Sequence, residues 1–197
     1  MQSATDTLAR TGMRFRVIEP ENVPPILPQL KELSEEWLER MSVRERGFSM
    51  GSFDEDYLSR LPIAVLERDD AIIAFANLLC SPTGEELSVD LMRMHRSAPA
   101  ETMDTLFAML FQWGRERGYR WFNLGLAPAT PLWTRVGRFA YRQGDSFRTL
   151  EELRAYKETF YPRWEPRYLA HPTGLALPVI LADVAALVSG GYVKIFR

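Results

Sequence analysis

Apolar residues along this chain recur at two spacings, and the switches between them mark out the elements. Phe15-Arg16-Val17-Ile18 alternates and is closed by Pro20, which predicts a short strand. Ile26, Leu27, Leu30, Leu33 and Trp37 then return every three or four residues, predicting an amphipathic helix to about Arg40. Gly47–Phe53 reads as a glycine-punctuated loop, and Asp54 is placed to cap a short helix carrying Tyr57 and Leu58.

Ile63–Glu67 and Ala71–Leu79 predict two strands joined by a turn at Arg68-Asp69-Asp70. Glu86–Met92 predicts a third, after the turn Ser81-Pro82-Thr83-Gly84. Pro99 opens a long helix with Met103, Leu106, Phe107, Leu110 and Trp113 on one face, ending near Gly118. The aromatic-rich Tyr119–Leu124 predicts a further strand. Beyond Pro131 come an irregular arginine-bearing stretch to Phe147, a helix over Leu150–Phe160 and a strand over Pro166–Ala170. A last helix covers Leu177–Val188, closed by Gly190-Gly191. The pattern is mixed α/β, with a mostly antiparallel sheet flanked by helices, in a single domain over residues 13–197.

Composition narrows the class. The net charge of −2 excludes the globally basic signature of a free-standing nucleic-acid binder. A single cysteine, Cys80, excludes an intramolecular disulfide or a Cys-based zinc cluster and fits a reducing compartment. It follows an apolar strand and is expected in the core. With no apolar run of about 18 residues, no bilayer span is expected. Residues 1–12 are polar and read as a linker or expression scar.

Charge is unevenly placed. Glu32–Asp70 carries 11 acidic and 5 basic side chains, whereas Arg135–Arg167 carries 8 basic and 5 acidic. All cations except Lys31, Lys157 and Lys194 are arginine, whose fork matches phosphate and carboxylate geometry.

The chain lacks a Gly-x-Ser-x-Gly elbow, a His-Glu-x-x-His helix and a Walker loop. His95 and His171 have no metal-ligand spacing, and His95 reads as a surface or strand-end residue. Two segments remain more polar than packing requires. In Ser88–Arg93, plain alternation would send Ser88, Asp90 and Met92 one way and Val89, Leu91 and Arg93 the other. Asp90 could orient or deprotonate a hydroxyl while Arg93 holds an anion; the alternative is an ordinary ion pair or turn cap. In Arg154–Tyr168, four cations and five aromatic rings suit a phosphate-bearing partner with stackable bases; the alternative is a solvated helix face beside an aromatic core corner.

Six motifs occur in order: Phe48-Ser-Met-Gly-Ser-Phe53, Ile73-Ala-Phe-Ala-Asn-Leu78, Asp90-Leu-Met-Arg93, Phe122-Asn-Leu-Gly125, Leu153-Arg-Ala-Tyr-Lys157 and Trp164-Glu-Pro-Arg-Tyr-Leu-Ala170. That series resembles the C-terminal domain of bacterial aminoacyl-phosphatidylglycerol synthases, the multiple peptide resistance factor family. The resemblance covers about Phe15 to Gly191. It implies a GNAT-like fold, the second of two in tandem, in a parent with an N-terminal partner fold and a flippase domain. The implied activity transfers lysine or alanine from aminoacyl-tRNA to phosphatidylglycerol at the cytoplasmic face of the inner membrane. Lowering the membrane's negative charge would resist cationic antimicrobial peptides.

Carried onto this sequence, the family's motifs place catalytic roles on Asp90, Arg93 and Lys157. In the cation- and aromatic-rich segment, Arg154, Tyr156, Trp164, Glu165 and Arg167 are the candidate substrate-binding residues. No metal or cofactor is expected. Where the family commonly has aromatic-Asn-Phe-x-Gly-Leu-Arg, this chain has Arg148-Thr-Leu-Glu-Glu-Leu-Arg154. Acetyl-CoA chemistry competes, but the Met94–Ala100 connection lacks the glycine-rich turn that cradles a pyrophosphate. Two other readings stay open: an aminoacyl-tRNA-dependent transferase with a soluble acceptor, and a non-catalytic tRNA- or membrane-surface module.

Overall fold

The computed structural model describes residues 4–41, 52–127, 150–168, 170 and 176–189. The chain divides into two compact units, Met1–Arg40 with Phe53–Asn123 and Met41–Ser52 with Leu124–Arg197.

The first unit is built on a five-stranded sheet in the order β1 (Arg14–Ile18), β2 (Ile63–Arg68), β3 (Ala71–Cys80), β4 (Glu86–Met94) and β5 (Trp121–Asn123). The first four strands pair antiparallel in sequence order, and β5 joins β4 in parallel. The parallel step needs a crossover, supplied by the helix α4 (Thr102–Glu116). Between β2 and β3, Asp69 and Asp70 both take positive φ, 53° and 61°. Those are the dihedrals of a tight two-residue hairpin, so the turn read from the sequence is confirmed.

Helices cover both faces of this sheet. On one, α1 (Ala4–Thr11) supplies Leu8 and α4 supplies Leu106 and Leu110, packed on Ala64, Leu66, Ala74, Ala76, Leu78 and Leu87. On the other, α2 (Leu27–Met41) and the one-turn helix α3 (Glu55–Leu58) bring Leu27, Leu30, Leu33 and Leu58 against Ile63, Val65, Phe75 and Leu91. Helix α4 packs so closely at Gly114 that a Cβ there would lie 3.0 Å from Leu87 Cδ2. A larger residue would push the helix off the strand.

In the second unit, the described elements are α5 (Leu150–Glu158), the non-helical Tyr161–Tyr168 and α6 (Ala176–Ser189).

Four expectations need correction or placement. Ala4–Thr11, expected to be a linker, is helical, because Leu8 finds an apolar face to pack on. Cys80 is exposed rather than in the core, since it closes β3 beside the exposed Leu79. The described residues of Pro166–Ala170 form no strand; Pro166 has no N–H for a ladder, and Pro166, Arg167, Tyr168 and Ala170 are exposed. The Gly47–Gly51 part of the predicted loop, the 131–147 stretch, His171 and Gly190-Gly191 lie outside the described residues.

Candidate functional site

The site in the first unit begins with an irregularity in the β3–β4 ladder. Ala76 pairs with Met92 but Leu78 pairs with Val89, so Asp90 and Leu91 together stand opposite the single residue Asn77. This is a β-bulge, and the extra residue reverses the alternation beyond it. Leu87 and Val89 therefore pack on the α4 side, and so do Met92 and Met94, while Leu91 packs on the α2–α3 side. Arg93 lies on the latter side, its guanidinium 4.1 Å from the ring centroid of Trp37 of α2. Asp90 faces the same way, toward Tyr57 of α3. Regular alternation would have separated Asp90 from Arg93; the bulge places both on one face of the sheet.

Around Asp90 the contacts are specific. Tyr57 Oη donates to Asp90 Oδ2 at 3.0 Å, and Asn77 Nδ2 donates to Tyr57 Oη at 3.4 Å. Asn77 Oδ1 accepts the Leu91 N–H at 2.6 Å. Burial, together with the charge and hydrogen bond of Asp90, raises the Tyr57 pKa above its ordinary 10.0. The phenol therefore stays protonated and donates across the working pH range. Tyr57 reaches this place because α3 is pinned at both ends. Asp54 caps it, its side chain accepting the Tyr57 N–H at 2.7 Å, and Leu58 is fully buried.

Arg93 is 9% exposed and donates from Nη1 to the Met92 carbonyl at 3.0 Å. Stacking on Trp37 leaves the guanidinium plane fixed, which suits recognition of an anion at its edge. Just past the end of β4, His95 Nε2 lies 2.6 Å from Glu36 Oε2, and Nδ1 lies 2.8 Å from Ser97 Oγ. That is the strand-end role read from the sequence.

The remaining predicted residues belong to the second unit. Lys157, in the last turn of α5, donates from Nζ to the Leu126 carbonyl at 2.9 Å. The adjoining Gly125 has φ of +75°, and a Cβ on it would lie 3.7 Å from Lys157 Nζ. The Phe122-Asn-Leu-Gly125 motif thus leads to the backbone that the lysine grips, with the glycine meeting a left-handed turn. Tyr156 packs edge-on against Phe160 at 5.2 Å. Arg154 pairs with Glu158 at 3.0 Å and lies 5.1 Å from the Trp164 ring centroid. Glu165 lies 3.8 Å from both Arg163 and Arg167, three largely exposed side chains. The structure therefore places Asp90 and Arg93 on one face of the sheet and brings Arg154 beside Trp164; Glu165 and Arg167 form an exposed pair.

Tyr57, Asn77 and Trp37 were not among the sequence candidates. An amide inside the apolar run Ile72–Leu79 was the available signal for Asn77. Nothing local distinguished Tyr57 from a surface tyrosine.

Residues 2–171 match the family model described as phosphatidylglycerol lysyltransferase, C-terminal. The chain belongs to that family. The phosphatidylglycerol lysyltransferase of Bacillus subtilis is 36% identical to this member over 95% of its length, which is 23% of that protein. The Staphylococcus xylosus phosphatidylglycerol lysyltransferase is 30% identical over the same shares. Among solved structures, a C-terminal domain from Agrobacterium fabrum assigned to a lysylphosphatidylglycerol synthetase is 42% identical, with a TM-score of 0.83. It covers 95% of this chain and 58% of that one. The L-PGS structure from Bacillus licheniformis is 38% identical with a TM-score of 0.78, covering 93% and 57%. The chain thus spans about a quarter of the curated relatives it matches and somewhat over half of the solved domains. Family membership and the mixed α/β fold agree with the sequence reading. Among the described residues no helix is long and apolar enough to cross a membrane, and no group of His, Cys, Asp and Glu could hold a metal ion.

Proposed function

We propose that this lysyltransferase-family chain moves a lysyl group from lysyl-tRNA to a glycerol hydroxyl of phosphatidylglycerol. The observation that carries the reading is the family match over residues 2–171, which takes in Asp90, Arg93 and Lys157. The geometry around Asp90 supports it, because a carboxylate oriented by a tyrosine, with an arginine stacked on Trp37 on the same face of the sheet, suits hydroxyl activation beside an anionic group.

In this proposal the acceptor hydroxyl oxygen bonds the ester carbonyl carbon of the donor, and the bond from that carbon to the tRNA ribose oxygen breaks. The proton leaves the attacking hydroxyl by way of Asp90 and ends on the departing ribose oxygen. One ester is exchanged for another, so little driving force is required and positioning carries much of the rate. Arg93 or Lys157 supplies positive charge for the lipid phosphate or the developing oxyanion. Arg154, Tyr156, Trp164, Glu165 and Arg167 are proposed to meet the donor or the headgroup. The tRNA donor places the reaction at the cytoplasmic face of the membrane, and the product lipid would resist cationic antimicrobial peptides. Spanning 58% of a solved C-terminal domain and 23% of a full-length relative, the chain would work beside an N-terminal partner fold and a flippase domain.

The test is transfer of radiolabelled lysine from lysyl-tRNA to phosphatidylglycerol vesicles by the full-length parent, its Asp90→Asn variant and this chain alone. The expected result is labelled lipid from the parent and a loss of about 10²- to 10⁴-fold in the variant. Label in a water-soluble product instead would favour a soluble acceptor. Binding of tRNA with no transfer at all would point to a non-catalytic module.

A further inference from the structure

We propose that Asn77 is a positioning residue of the transfer reaction, clamping the β4 bulge and aiming the Tyr57 hydroxyl at Asp90. The proposal rests on the lysyl-transfer reading above.

Asn77 is fully buried in the middle of β3, between Ala76 and Leu78, both also fully buried. An apolar side chain would be the cheaper occupant of that position, because a buried amide costs free energy unless its donor and acceptor are both used. Here each end is used. Its Oδ1 accepts the Leu91 N–H at 2.6 Å, and its Nδ2 donates to Tyr57 Oη at 3.4 Å. An amide oxygen can only accept and its NH₂ can only donate, so the two partners fix which way the amide points.

The first bond bears on the backbone. With two β4 residues opposite one β3 residue, a bulge leaves a backbone group outside the ladder. The Leu91 N–H finds its acceptor in the Asn77 side chain, at a residue only 1% exposed. Without that acceptor the N–H would be orphaned in an apolar setting. Closing the bulge would restore the ladder but return the strand to plain alternation. Asp90 and Arg93 would then sit on opposite faces. Asn77 thus decides whether the two share a face.

The second bond bears on a proton. A tyrosine hydroxyl has a single hydrogen, and Asn77 Nδ2 faces its oxygen as a donor. The Tyr57 hydrogen is therefore directed away from Asn77 and onto Asp90 Oδ2. One side chain sets both the register of the strand and the orientation of the carboxylate's donor.

Two variants test this in the full-length protein, with lysyl transfer to phosphatidylglycerol vesicles and amide exchange at Leu91 measured in parallel. Asn77→Ala is expected to speed Leu91 exchange at least about tenfold. It should lower kcat roughly 10- to 100-fold, with KM for the lipid changed less than about threefold. Asn77→Asp keeps an acceptor for the Leu91 N–H but has no donor for Tyr57. Leu91 exchange should stay slow while kcat falls, because the phenol hydrogen turns to the new carboxylate.

Wild-type kcat in Asn77→Asp, unchanged Leu91 exchange in Asn77→Ala, or activity losses that merely follow the folded fraction in a melt would each overturn the proposal. Absence of any lysyl lipid from the wild-type protein would overturn the functional reading and the positioning role with it. The Leu91 exchange of Asn77→Ala would even then decide the clamp independently.

Discussion

The Tyr57 hydroxyl donates to Asp90 Oδ2 across 3.0 Å, tying a helix of a single turn to the bulge of β4. A four-residue helix has almost no stability of its own. It holds its place through the Asp54 cap and the burial of Leu58, and that anchorage lets a flexible-looking segment position a phenol.

Tyr57→Phe should therefore remove a hydrogen bond without removing the ring that packs beside it. A hydrogen bond to a charged group contributes about 1.5–3 kcal/mol, so kcat for the proposed lysyl transfer should fall roughly 10- to 100-fold. Thermal unfolding should move by only a few degrees. A steady-state comparison of kcat and KM with a parallel melt checks both.

Alkaline titration followed by tyrosinate absorbance gives a second expectation. Tyr57 should ionise above the ordinary 10.0, held there first by burial and then by the charge and hydrogen bond of Asp90. In Asp90→Asn the last two causes vanish, so its titration should move down toward 10.0 while remaining above it. Tyr119, beside Cys80, should still titrate at about 12, raised chiefly by its hydrogen bond with that cysteine and by burial. A raised folded-state pKa means that the folded protein holds the proton more tightly than the unfolded chain. The stability from Tyr57 is thus complete below about pH 10 and declines as pH climbs through the raised value.

Arg93→Lys tests the stacked cation. The planar guanidinium lies 4.1 Å from the Trp37 ring centroid, and a lysine ammonium reproduces neither its flat face nor its fork. Loss of a desolvated cation–π contact should cost about 1–2 kcal/mol, lowering Tm by about 2–8 °C. Transfer activity should fall further than stability does. Calorimetry and vesicle assays on the same preparation separate the two effects.

Much of the fold was legible in the sequence, because long apolar periodicities decide it. Leu30, Leu33 and Trp37 announce α2, and the Asp69-Asp70 pair announces the hairpin between β2 and β3. The site was legible only in part. Asp90 and Arg93 could be singled out as charges in a strand, yet simple alternation put them on opposite faces. The bulge that reunites them depends on a hydrogen bond from Leu91 to Asn77, a residue on another strand, and no spacing rule within β4 encodes it. Tyr57 carries no local signal for the same reason, since its meaning lies in a contact made across the fold. Cys80 shows the opposite error. Apolar neighbours in sequence made it look internal, but the covering of the sheet ends before it.

Lys157→Gln separates charge from hydrogen bonding in the second unit. Glutamine keeps an N–H donor that can be directed at the Leu126 carbonyl, 2.9 Å from the lysine nitrogen, while removing the positive charge. If the proposed role of Lys157 is to hold the lipid phosphate, losing that charge weakens ground-state binding and transition-state binding alike. KM for phosphatidylglycerol should then rise about tenfold, equivalent to about 1.4 kcal/mol, with kcat little changed. A fall in kcat at constant KM would instead assign the lysine to the oxyanion. Raising the ionic strength should narrow the KM difference between wild type and variant, because salt screens the attraction that only the wild type possesses. Initial rates across a series of lipid concentrations, at low and high salt, measure all three quantities.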